Sequence, residues 1–157
     1  MDWYLSSKQM GAAQGVLALD PKRVLIIEDN RSLETAMGRL LKTIRPEAEV
    51  DWATTADEVI EALEEQKIAF NLLYDLVIAD ITLPGKLSGL DFWNYCGNRY
   101  PSIPFLVISG MPTEQYLELT SKIHVPPRFL SKPFSLADCR NAIESLMRPV
   151  LPYRIAA

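Results

Sequence analysis

Five side chains in this sequence have the types needed for joint chemistry: the carboxylates of Glu28, Asp29 and Asp80, the hydroxyl of Ser109 and the ammonium of Lys132. Each follows a short apolar run. Glu28-Asp29 closes Val24-Leu25-Ile26-Ile27, Asp80 closes Leu76-Val77-Ile78-Ala79, Ser109 closes Phe105-Leu106-Val107-Ile108, and Lys132 follows Arg128-Phe129-Leu130-Ser131. If these runs are strands of one open parallel sheet, the five side chains gather beyond its carboxyl edge, where such sheets bind ligands. Carboxylates crowded together there repel one another unless a cation sits among them. An all-oxygen pocket suits Mg²⁺, which keeps several waters and takes few protein ligands. A lysine beside it is the group expected next to a phosphoryl oxygen. The combination points to phosphoryl transfer, in which positioning and charge neutralisation supply most of the catalysis.

The surrounding pattern predicts the elements that position these groups. Arg23 to Ile27 reads as a strand buried on both faces. Leu33, Ala36, Met37, Leu40, Leu41 and Ile44 then recur at helical spacing, with Asn30 as the N-cap and Pro46 marking the exit. A second strand fits Glu49 to Ala53. Thr55-Ala56-Asp57-Glu58 has the form of a capping box opening a helix with Val59, Ile60 and Leu63 facing inward. The strand-helix beat repeats after that. A run over 75–79 reaches Asp80 and a Pro-Gly loop before a helix over about 90–99. A run over 103–108 reaches Ser109 and a helix from Thr113; a run over 128–131 reaches Lys132-Pro133 and a helix over 135–147. Five strands alternating with five helices predict an α/β fold, a parallel sheet with helices on both faces.

The bulk properties narrow the class. A length of 157 residues, 48% of them hydrophobic and 23% charged, suits one soluble globular domain. The net charge of -4, with sixteen basic residues scattered along the chain, argues against direct nucleic-acid binding. Cys96 and Cys139 are too few and too far apart for a disulfide framework, and suit a reducing compartment. The single His124 excludes a His-rich zinc site and reads as a loop residue. No stretch approaches the about 20 apolar residues of a membrane helix, and the first residues lack the basic start and apolar core of a secretory signal. The expected location is the cytoplasm. Residues 1–21 read as an N-terminal extension, 22–148 as the domain and 149–157 as a C-terminal tail.

Taken in order, Val24-Leu25-Ile26-Ile27-Glu28-Asp29, Leu76-Val77-Ile78-Ala79-Asp80 with Leu83-Pro84, Ile108-Ser109-Gly110 and Leu130-Ser131-Lys132-Pro133-Phe134 resemble the response-regulator receiver domains of two-component signalling. The resemblance implies a flavodoxin-like, doubly wound sheet of five parallel strands in the order 2-1-3-4-5. It implies that Asp80 is the nucleophile that becomes an acyl phosphate. Glu28, Asp29, Asp80 and the Thr82 carbonyl would hold Mg²⁺. Lys132, joined to Pro133 by a cis bond, would pair with Asp80 and then with the phosphoryl group, to which Ser109 would donate its hydroxyl. Phe129 stands at the family's aromatic switch position, although it reads equally well as plain core. The implied partners are a sensor histidine kinase or histidine phosphotransfer protein and a downstream protein target, with a homodimer left open. The protein would act on its own aspartate and would not turn over an external substrate.

The sequence departs from the family pattern in places. The loop from Ile81 to Gly89 is one residue longer than the commonest version, an excess that Gly85 and Gly89 are expected to absorb. Gly110 leaves the pocket mouth open. Before the last strand stands Lys122-Ile123-His124-Val125-Pro126-Pro127, whose prolines remove two amide donors and predict a short or displaced fourth helix. An output domain is not expected after the fifth helix, so the resemblance implies action through protein binding or a phosphorelay. A haloacid-dehalogenase-type phosphatase would place a second Asp where Thr82 stands, and a dinucleotide enzyme would have a Gly-rich turn in place of Glu28-Asp29-Asn30. The remaining alternative is a receiver-fold binding module that works without phosphorylation.

Overall fold

The computed structural model describes residues 23–66 and 74–147. The proposed extension 1–21 and tail 149–157, with Lys22 and Arg148, lie outside the described residues. In chain order the elements are β1 (Arg23–Ile27), α1 (Arg31–Ile44), β2 (Glu49–Ala53), α2 (Ala56–Gln66), β3 (Leu76–Asp80), α3 (Gly89–Arg99), β4 (Phe105–Ser109), α4 (Thr113–Leu119), β5 (Arg128–Ser131) and α5 (Leu136–Met147). The strands form one parallel sheet in the order β2-β1-β3-β4-β5. This is the doubly wound α/β architecture and strand order that the sequence implies.

The apolar runs are continuous because both faces of the sheet are covered. Alternate residues go to opposite sides. Leu25, Ile27, Val77, Ala79, Phe105 and Val107 pack with Val59 and Leu63 of α2, Phe92 and Cys96 of α3 and Tyr116 of α4. Val24, Ile26, Leu76, Ile78, Leu106 and Ile108 pack with Met37, Leu40 and Leu41 of α1 and Cys139, Ala142 and Ile143 of α5. Each fully buried aliphatic side chain contributes about 1.5–3 kcal/mol relative to exposure.

The helices start where their caps dictate. Asn30 accepts the N–H groups of Ser32 and Leu33 at 3.0 and 3.4 Å. Thr55 and Glu58 form the expected reciprocal cap of α2: Thr55 Oγ1 accepts the Glu58 N–H at 3.1 Å, and Glu58 Oε1 accepts the Thr55 N–H at 3.2 Å. A second capping box, Ser88 with Asp91, opens α3 one residue before the expected start. α4 is indeed short, seven residues ending at Leu119. Among the described residues, no helix is long and apolar enough to cross a membrane.

The loop glycines divide the work differently from the sequence expectation. Gly85 absorbs the extra residue with φ at 93°. Gly89 is the first residue of α3, and a Cβ there would stand 2.1 Å from the Asp80 carbonyl oxygen. Its role is close approach of two backbones.

Candidate functional site

Parallel pairing brings the strand ends into line. Asp80 pairs with Ile108, Ser109 with Ser131, and Ile27 with Ala79, so that the residues ending β3 and β4 and those following β1 and β5 share one edge of the sheet. Glu28, Asp80 and Ser109 are 2%, 5% and 1% exposed, so their polar groups depend on protein partners, whereas Asp29 is exposed to solvent. Carboxylate oxygens of Glu28, Asp29 and Asp80 all lie within 4.8 Å of one another.

Lys132 bridges two of them, its Nζ 2.6 Å from Asp80 Oδ2 and 3.0 Å from Glu28 Oε2. Asp80 Oδ1 accepts the Thr82 N–H at 2.9 Å, and Glu28 Oε1 accepts the Asn30 N–H at 3.0 Å. Lys132 is joined to Pro133 by a cis peptide bond. Burial pushes the Glu28 carboxyl above its ordinary range; the negative Asp80 acts in the same sense, while the Asn30 amide and Lys132 oppose both. Burial alone would lower the Lys132 ammonium, but its hydrogen bonds to Asp80 and Glu28 more than offset this and raise it. Lys132 therefore stays charged.

Three carboxylates against one ammonium leave two negative charges with no partner among these four side chains. Like charges about 4 Å apart repel by about 4 kcal/mol at an effective dielectric of about 20. A cluster of hard oxygen donors with a deficit of two positive charges has the chemistry of a Mg²⁺ site. The donor set fits the metal that the sequence implied.

Ser109 ends β4 at the same sheet edge, and Phe129 lies in β5, paired with Val107 two residues back from that edge. The Ser109 Oγ accepts the N–H of Met111 at 3.2 Å, and the Met111 carbonyl accepts the Ser131 hydroxyl at 3.1 Å. Phe129 is half-buried and stacks on Tyr116 of α4, with ring centroids 4.1 Å apart and planes inclined by 11°. Tyr116 in turn donates its hydroxyl to the Pro127 carbonyl, and burial pushes its phenol up to about 12. Sequence reading missed Tyr116. A single tyrosine on a short helix gives no sign of reaching a carbonyl eleven residues away. His124 is exposed, and a Cβ on Gly110 would meet nothing within 4 Å.

The family model described as "Response regulator receiver domain" matches residues 24–144. The chain belongs to this family. The receiver domain is a module of two-component signalling, and its members are signalling modules that generally are not turnover enzymes. A hybrid signal transduction histidine kinase K from Dictyostelium discoideum is 34% identical in an alignment of length 152 that covers 88% of this chain and 12% of that protein. The chain thus spans about an eighth of that relative's length. Solved receiver domains share the fold. The non-phosphorylated HemR receiver domain from Leptospira biflexa matches with a TM-score of 0.64 and 26% identity, over 84% of this chain and 98% of that one. A receiver domain protein from Clostridium thermocellum gives 0.63 and 24%, over 80% and 94% of the two chains. The phosphorylated cyanobacterial phytochrome response regulator RcpA gives 0.63 and 21%, over 80% and 93%. The receiver family binds Mg²⁺ at an acidic pocket, and this chain has an acidic cluster of Glu28, Asp29 and Asp80.

Proposed function

We propose that this receiver domain is a phosphoryl-accepting switch in which Asp80 is the acceptor. One observation carries the reading: the buried Asp80 carboxylate is held by Lys132 inside a carboxylate cluster that lacks two positive charges. Glu28, Asp29, Asp80 and the Thr82 carbonyl would hold Mg²⁺, which when bound neutralises charge on the phosphoryl oxygens. The phosphoryl donor is a histidine kinase or a histidine phosphotransfer protein, in keeping with the hybrid kinase relative.

In the step itself a carboxylate oxygen of Asp80 attacks phosphorus. The P–N bond of the phosphohistidine breaks, its electron pair stays on the imidazole, and Asp80 becomes an acyl phosphate. Lys132, already 2.6 Å from Asp80 Oδ2, moves its positive charge to the new phosphoryl oxygens. Ser109 gives up its contact with the Met111 amide and donates its hydroxyl to the phosphoryl group. That movement vacates space which Phe129 can fill, withdrawing from the Tyr116 ring. The change reaches α4, β5, α5 and the connection between α4 and β5, where Leu117, Leu119, Val125 and Leu136 are exposed for a protein target. The domain limits that we propose remain 22–148, around the family match at 24–144.

The test is to incubate the purified chain with Mg²⁺ and acetyl phosphate and weigh it intact beside Asp80→Asn. A gain of one phosphoryl group in the wild type alone supports the proposal. No gain from acetyl phosphate or from a histidine kinase would leave a binding module that works unphosphorylated.

A further inference from the structure

The loop between Asp80 and α3 is fastened by a residue from another element. Asp57, the second residue of α2, accepts the Lys86 N–H at 3.3 Å through Oδ1 and 3.2 Å through Oδ2, and the Leu87 N–H at 3.3 Å through Oδ2. Just before these amides stands Gly85, with φ at 93°. A Cβ on Gly85 would lie 2.4 Å from Asp57 Oδ2. The glycine therefore serves both the left-handed turn and the seat of the carboxylate. Successive N–H groups converging on one anion form a small nest, and the first turn of a helix favours the charge of the residue that fills it.

The other end of the same loop is the phosphoryl site. The Thr82 N–H holds Asp80 Oδ1 at 2.9 Å, and the Gly89 N–H closes on the Ile81 carbonyl at 3.0 Å. Between Thr82 and the Ser88 cap, the Lys86 and Leu87 N–H groups donate to Asp57. Beyond that contact a groove lined by Ile60, Glu61, Glu64, Glu65 and Leu87 runs on from Asp57. The tip of the loop thus rests on this carboxylate.

We infer that Asp57 is a positioning residue for the phosphoryl chemistry: by gripping Lys86 and Leu87 it sets the path of the loop, and with it the placement of Thr82 against Asp80. The inference rests on the reading of Asp80 as the acceptor, because only then does Thr82 belong to a metal and phosphoryl site.

Two measurements on the full chain test it, amide exchange without metal and Mg²⁺ binding by calorimetry, each for wild type, Asp57→Ala and Asp57→Asn. Asp57→Ala is expected to speed exchange at Lys86 and Leu87 by about tenfold and at Thr82 by about threefold. It is expected to weaken Mg²⁺ binding by about fivefold. Asp57→Asn, which keeps an acceptor oxygen without the charge, shifts the same quantities by smaller factors and serves if the alanine variant does not fold. Fast exchange confined to Lys86 and Leu87, with Thr82 and Mg²⁺ affinity as in wild type, overturns the inference and leaves Asp57 a structural tie. A wild type that binds no Mg²⁺ overturns the reading of the Asp80 site and this inference with it. The wild-type titration alone tells the two failures apart.

Discussion

At the scale of single residues, Glu28 is held in a compromise. Its carboxyl is buried beside Asp80, yet it receives the Asn30 amide and Lys132. Its pKa in the folded chain lies above the ordinary 4.5. A group raised in this way stabilises the fold below its unfolded pKa, and that contribution is lost as pH rises through the folded value. Above that folded value, without metal, the ionised form of Glu28 therefore supports the fold less than the protonated form does. Glu28→Gln should melt higher than wild type in chelator and bind Mg²⁺ more weakly; a lower melting temperature in chelator would refute the sign. Gly110 offers a second test at this scale, since a side chain there meets open space beside Ser109. Gly110→Thr should slow loss of the phosphoryl group by about two- to fivefold by screening it from water. An unchanged dephosphorylation rate would sink that idea.

At the scale of elements, the connection from α4 to β5 is where the chain differs most from its family pattern. The Pro126-Pro127 segment brings the Pro127 carbonyl to the Tyr116 hydroxyl, and Phe129 lies on the same ring. Tyr116→Phe keeps the ring stack and leaves that carbonyl without its donor. It should lower the unfolding free energy by about 1–2 kcal/mol in urea titration; a change indistinguishable from zero would show that the bond contributes nothing net. This contact also marks the limit of what sequence could convey. The three central strands β1, β3 and β4 were legible because both faces of the sheet are covered there, making each a nearly unbroken apolar run. The caps were legible because Asn30 and Thr55 with Glu58 act within three residues of themselves. Asp57 reaching residues 29 and 30 positions away, and Tyr116 reaching Pro127, depend on how elements pack, and no local pattern announces them.

At the scale of the whole molecule, the sheet places a deficit of two positive charges at one edge. The candidate cluster was legible because its members each close a strand, so the parallel topology alone brings them together. The metal should be felt by the entire fold. At a Mg²⁺ concentration of about 100 times its dissociation constant, linkage stabilises the folded state by about 2.7 kcal/mol. Wild type should show this gain in denaturant unfolding, and Asp29→Asn should lose most of it. An equal gain in both proteins would place the ion elsewhere.

We propose that the carboxylate of Asp80 accepts the phosphoryl group, and the product of that reaction can be trapped chemically. An acyl phosphate, unlike a phosphate ester or a phosphoramidate, is reduced by borohydride, which converts the aspartate that carried it into homoserine. The chain should be phosphorylated from acetyl phosphate with Mg²⁺, treated with borohydride, digested and sequenced by mass spectrometry. Homoserine at position 80, dependent on Mg²⁺ and on the phosphodonor, is the predicted result. An unreduced Asp80 with phosphate found on Ser109 or His124 would contradict the account.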